Sequence, residues 1–397
     1  MAIDPAIEAA IGRVPWSTMD HCRGSATDLP ELLRTMLDAK LASDRAEARR
    51  SLWSAIQHQG SVFEPAAHVI PILARALPTA PPDDRARIVA MLGNLAYAYT
   101  MTEGQGLLRI VAENDPDRAG IMAQLRREQG WVRAAQRASW TARDVLVQLL
   151  ARTEDQDLLV HIPFALVALL DGAGEGAPTA VDLDATARGF ALEIAARARR
   201  PATDQAHAGF AFALGRLAQR VPDLLPALRA SLDRAPWPAR VTAAVGVLRV
   251  SPRDERATDV LIEGLRRRAE HQDWLPRPFP WITGHLRFLV IAVLASDRVS
   301  DAGFSRALPV LADVARYDAS QWTFHSDALA PLARAFDGAV AGPGTRRADL
   351  PHAALKLLDA LHENPDMWST RVGNVDNALH AFGLVNDVTF WDTMLAR

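Results

Sequence analysis

Pro238-Ala-Arg-Val-Thr-Ala-Ala-Val-Gly-Val-Leu-Arg-Val250 reads as one turn after another of a helix with a single apolar side. Val241, Ala244, Val245 and Leu248 fall at i, i+3, i+4 and i+7, and Arg240 and Arg249 lie off that stripe. The same spacing continues on both sides. Over 206–221 it is carried by Phe210, Ala213, Leu214, Leu217 and Val221. Over 158–170, Leu158, Leu159, Ile162, Leu166, Leu169 and Leu170 make a face broad enough for two neighbours. Alternating Val/Ile/Thr/Tyr runs closed by Asn-Gly or Asp-Gly are absent, and the chain has three tyrosines. No strand is expected, and the fold class read from the pattern is all-α.

Prolines followed by leucine-rich helix punctuate this pattern. They occur at Leu29-Pro-Glu-Leu-Leu33, Ile70-Pro-Ile-Leu73, Ile162-Pro-Phe-Ala-Leu166, Leu225-Pro-Ala-Leu228, Leu308-Pro-Val-Leu311, Ala330-Pro-Leu332 and Leu350-Pro-His352. Pro30 and Pro71 stand 41 positions apart, Pro71 and Pro163 stand 92 apart, and Pro226 and Pro309 stand 83 apart. These are one or two steps of a unit of ~40–47 residues, the period of helix-pair repeats. Proline suits the first turn of a helix, where its missing N–H bonds nothing. Pro71 and Pro163 follow apolar residues and are read as lying within bent helices. The odd interval between Pro163 and Pro226 holds the stretch Gly172-Ala-Gly-Glu-Gly-Ala-Pro178. This divides the chain into 1–171, a glycine-rich insertion or linker at 172–181, and 182–397, within one continuous array.

The unit from Ala48-Arg-Arg-Ser-Leu-Trp53 to Leu77 contains His58-Gln-Gly-Ser-Val-Phe63 and Ala67-His-Val-Ile-Pro-Ile-Leu73. It resembles the HEAT-repeat (armadillo-type) proteins common in actinomycete genomes, as does Pro238–Leu248. The resemblance implies an irregular HEAT-like α-α superhelix with a concave face and, most often, a protein partner. Gly60 is expected to end the first helix of that unit.

The 397 residues carry a formal charge of −3, 44 Lys plus Arg and one cysteine. Only Lys40 and Lys356 are lysines. The balance argues against a binder of nucleic acid or membrane over its whole surface, and leaves room for a local patch. Cys22 alone makes no internal disulfide and no cysteine cage, which suits a reducing compartment. The N-terminus lacks the pattern of a signal peptide, and the apolar run Leu286–Ala295 is shorter than a membrane span of ~20 residues. The chain is expected to be cytoplasmic.

Little catalytic chemistry is legible, and no cofactor or metal is implied. A lone His362-Glu363 pair, followed by Asn-Pro-Asp, reads as the end of a helix and not as an iron site. The Gly-x-Gly pairs at Gly104-Gln-Gly106, Gly172-Ala-Gly-Glu-Gly176 and Gly342-Pro-Gly344 follow no strand and read as loops. Arg126, Arg127, Arg133 and Arg137 group near Trp131 and Trp140 as a basic patch, and shorter arginine runs stand at 197–200, 266–268 and 346–347. A HEAT-like family of alkylbase DNA glycosylases uses a basic face, tryptophans and one carboxylate. By that analogy Asp144 is the acid to test, and nucleic-acid binding is the alternative function. The strongest partner signal is His271-Gln-Asp-Trp-Leu-Pro-Arg-Pro-Phe-Pro-Trp-Ile-Thr-Gly-His285. Trp274, Arg277, Phe279, Trp281 and His285 there combine hot-spot residue types with proline stiffening. The expectation is a non-enzymatic scaffold or adaptor that binds a protein or peptide on its concave face or through that insertion. A toxin-neutralising or regulatory partner is a further alternative.

Overall fold

A computed structural model of the chain describes residues 3–58, 61–97, 118–176, 182–267, 286–341, 345–368 and 373–396. Its contacts separate two units, Met1–Ala213 and Leu214–Arg397. Helix dominates both, as the 3.6-residue periodicity predicts.

In the first unit the helices are α1 (Pro5–Gly12), α2 (Leu29–Asp38), α3 (Ala42–Ile56), α4 (Ala66–Ala76), α5 (Pro82–Ala96), α6 (Arg118–Trp140), α7 (Arg143–Arg152), α8 (Gln156–Gly176) and α9 (Leu183–Ala198). The unit ends within α10 (Asp204–Leu217). Its centre is α8, where Leu158, Leu159, Ile162, Leu166, Leu169 and Leu170 are all buried. This helix packs on α5, α6, α7 and α9, which accounts for its breadth of apolar surface. By length and composition the window Gln156–Ala173 could cross a membrane, and 78% of it is buried inside the protein. Burial on several sides is what makes a core helix apolar all round.

Two features differ from the sequence reading. The stretch Gly172–Gly176, expected to be a loop, continues α8. A Cβ at Gly172 would stand 2.5 Å from the carbonyl oxygen of Ala96, so glycine here lets α8 pass against α5. The second difference is two antiparallel ladders of two residues each, where no strand is expected. β1 (Asp20–His21) pairs with β2 (Gly24–Ser25), and β3 (Gln57–His58) pairs with β4 (Ser61–Val62). Helix α3 therefore stops at Ile56, before Gly60, as Gln57 turns to φ −142° and ψ 119°. Strands this short are below the length at which alternation shows in a sequence. A motif does mark them: Trp16-Ser17, His21 and Gly24-Ser25 recur as Trp53-Ser54, His58 and Gly60-Ser61. The first hairpin is stitched to the end of α3. The Cys22 thiol donates to the Ser54 carbonyl at 2.8 Å, and Arg23 Nη2 donates to Ser54 Oγ at 2.7 Å.

The second unit holds α11 (Leu225–Arg234), α12 (Trp237–Val250), α13 (Glu255–Arg266), α14 (Leu286–Leu294), α15 (Asp301–Tyr317), α16 (Ala330–Phe336), α17 (His352–His362), α18 (Gly373–His380) and α19 (Val388–Ala396). A π-helical turn, His325–Leu329, leads into α16. Helix α12 packs on α11, α13 and α14, while α13 packs on α15, and α15 on α17. From α11 to α17 each helix thus meets its successor or its next-but-one. Helices α10 and α12 meet glycine on glycine: a Cβ at Gly246 would lie 2.5 Å from the Gly215 Cα.

The prolines divide as their flanking residues suggest. Pro30, Pro226 and Pro331 occupy first turns, whereas Pro71, Pro163 and Pro309 lie inside α4, α8 and α15. Helix α17 ends at His362, with Glu363 as its cap.

Candidate functional site

Arginine serves mainly as mortar between helices. In the first unit Asp84 of α5 takes Arg45 Nε at 2.6 Å and Arg49 Nη1 at 2.7 Å, both from α3. In the second, Arg287 of α14 grips Asp327 with two bonds of 2.9 Å. The arginine runs singled out in the sequence pair both across helices and within their own segments. Arg197 is 2% exposed and, with Arg200, contacts Glu154. Arg266 and Arg267 pair with Glu263, Arg346 with Asp349, and Arg347 with Asp359. These six cations have carboxylate partners, whereas Arg199 of the 197–200 run is exposed with none among the described residues.

Helix α6 gathers several arginines, unpaired among the described residues, on one face. It buries Leu125, Glu128, Val132, Ala135 and Ser139 on one side. Glu128, its one acid, is 3% exposed and accepts from Gln124 Nε2 at 2.8 Å. Arg126, Arg127, Arg133 and Arg137 are exposed on the other side, and among the described residues no carboxylate pairs with any of them. Steps of seven and four residues return to within about 20–40° of the same direction. Arg126, Arg133 and Arg137 therefore form one stripe, rising about 10 Å and then about 6 Å along the axis. Arg127 flanks it. Trp131 is half-buried and stacks on Phe63 at 6.2 Å, which ties α6 to the residue following β4.

The end of α6 is less well satisfied. Gln136 Oε1, Ser139 Oγ and Trp140 Nε1 are buried without a hydrogen-bond partner among the described residues. On α8, burial, reinforced by the nearby Arg87, pushes His161 down to about 4, so its imidazole is neutral at pH 7. It adds no charge to the stripe.

The other residues named from the sequence are dispersed. Asp144 stands in the first turn of α7 with 74% of its side chain exposed, paired to Arg143 at 3.2 Å. The Arg143 guanidinium lies 5.2 Å from the Trp140 ring centre. An acid that stabilises a cationic sugar gains its effect in a shielded pocket, and Asp144 faces water. Trp274, Arg277, Phe279, Trp281 and His285 lie outside the described residues, as do Gly104–Gly106 and Gly342–Gly344. His21 Nδ1 accepts from the Arg23 N–H at 3.0 Å, which leaves Nε2 to donate to Asp28 at 3.0 Å. His58, at the matching place in the second hairpin, is exposed. Among the described residues no three His, Cys, Asp or Glu side chains gather as a metal site.

No family model matches the chain, and no curated protein or solved structure matches it. The arrangement itself must carry the functional reading.

Proposed function

We propose that this chain is a non-enzymatic scaffold of HEAT-like helix pairs that binds an acidic segment of a protein partner on Arg126, Arg133 and Arg137. One observation carries this reading: three aligned, exposed guanidiniums on one helix have no carboxylate partner among the described residues, whereas Arg197, Arg200, Arg266, Arg267, Arg346 and Arg347 all do. The packing of each helix from α11 to α17 on its successor or next-but-one supports the helix-pair part of the reading. The 271–285 segment remains a second place for the partner to touch.

The size of the stripe favours protein over nucleic acid. It spans about 16 Å, from eleven residues at ~1.5 Å each. Stable, salt-sensitive DNA binding draws on roughly 6–10 phosphate contacts, and four arginines on one helix fall short of that. A partner helix with acids at i, i+7 and i+11, or at i, i+4 and i+11 when it runs the other way, repeats the spacing of the stripe.

The test is a fluorescence-anisotropy titration with a labelled, glutamate-rich helical peptide carrying acids at that spacing. Arg126→Gln/Arg133→Gln/Arg137→Gln is compared with Arg229→Gln/Arg256→Gln/Arg306→Gln, which changes the net charge equally. Three exposed pairs at ~0.5–1 kcal/mol each correspond to roughly 10–100-fold weaker binding in the first variant. The second is expected to bind as the wild type does. Equal loss in both, or none in either, contradicts the proposal.

A further inference from the structure

A cleft of about 790 Å³ opens in the second unit between α14, α16 and the turn joining α14 to α15. Ala292, Ala295, Ala330 and Ala333 line its apolar part. Its polar groups fall into two sets. Arg334 is fully engaged: it donates to the carbonyls of Leu294 at 3.2 Å, Ser296 at 2.5 Å and Val299 at 2.8 Å, and to Asp301 at 3.1 Å. These bonds fix the 294–301 turn as a wall. Ser300 is engaged too, capping α15 through Gly303 N–H and donating to Glu255.

Arg253 and Asp297 form the other set. Both line the cleft and both are exposed. The Arg253 N–H donates to the Arg298 carbonyl at 2.6 Å, so the two residues rise from abutting segments. Even so, they do not pair with each other, and among the described residues neither has another ion-pair partner. Arg253 is also held at φ 66°, a left-handed conformation that a bulky residue adopts only when its surroundings impose it. A cation and an anion with no ion-pair partner among the described residues thus line one cleft together with four alanines.

We infer that this cleft binds a small zwitterion with a short apolar body, an amino acid or a short peptide. Its carboxylate would sit on Arg253 and its ammonium on Asp297. A fork-shaped guanidinium suits a carboxylate, capture of chain ends is an established recognition mode, and the volume lies within the range of ligand pockets. This site is independent of the arginine stripe on α6.

The test is calorimetric titration of the full chain with alanine, trialanine, N-acetyl-trialanine and trialanine amide. Saturable binding of an uncapped probe is expected, with alanine and trialanine distinguishing the amino-acid source from the peptide source. Each cap on trialanine should weaken binding at least about tenfold, as loss of a charged contact does. Arg253→Gly, which suits the positive φ, should abolish the effect of amidation alone, and Asp297→Asn that of acetylation alone. Failure of both uncapped probes to saturate, indifference to capping, or wild-type behaviour of both variants overturns the inference.

Discussion

Asp327 shows what a single buried residue imposes on the molecule. Its side chain is 0% exposed, and burial pushes its carboxyl up to about 6 although Arg287 pulls the other way. Asp318 adds to the upward push, lying 3.8 Å from the same guanidinium. The folded state therefore holds this proton more tightly than the unfolded chain, whose carboxyl titrates near 3.8. The stability this site contributes is complete on the acid side and is lost as pH rises to about 6. Wild type minus Asp327→Asn, compared by urea unfolding at about pH 4.5 and 7, should fall on going to the higher pH. A difference independent of pH would contradict the assignment. Nothing in the sequence marks this pair, because 40 positions separate its members. The arginines of α6 were legible, since their spacing can be read along one helix. Their lack of partners was not, because carboxylates that pair with arginines elsewhere come from distant segments as well as near ones, as Glu154 does for Arg197 and Arg200.

At the scale of elements, the apolar periodicity and the placement of prolines transferred well into structure. Helices α8, α10 and α12 lie where the stripes predict them, and Pro71 and Pro163 are inside helices as their flanks suggest. Glycine was the weaker guide. Gly172 was read as part of a loop, yet it supports a close helix crossing, a role that depends on a neighbour absent from the local pattern. Gly246 makes the same point in the second unit. Adding a methyl there places carbon 2.5 Å from the Gly215 Cα, which is backbone and cannot rotate away. Gly246→Ala should therefore destabilise by about 1–3 kcal/mol. Gly189→Ala, with nothing within 4 Å, should be neutral or stabilising by up to about 1 kcal/mol through helix propensity. Thermal unfolding of both variants checks this, and equal midpoints would show that α10 and α12 do not cross at these glycines. The two hairpins escaped the periodicity argument for a related reason: two residues per strand carry no alternation.

For the whole molecule, a formal charge of −3 conceals an uneven distribution. Several arginine clusters are paired with carboxylates, and one face of α6 presents cations with no carboxylate partner among the described residues. The all-α class was written in the sequence, whereas the pairing of the arginines emerged only in the structure. The same distribution separates the two classes of polyanion. A protein segment needs a short stripe with matching spacing, whereas a duplex rewards charge spread over many phosphates. Binding to the stripe should weaken with salt, since exposed charges are screened beyond ~8–10 Å near 0.1–0.15 M. The most direct measurement is a competition at about 0.1 M salt, with the labelled glutamate-rich peptide bound to the full chain and displaced by unlabelled peptide or by duplex DNA of equal charge. The unlabelled peptide should displace the label and the duplex should not. Displacement by the duplex at lower concentration than by the peptide would contradict a protein-binding scaffold.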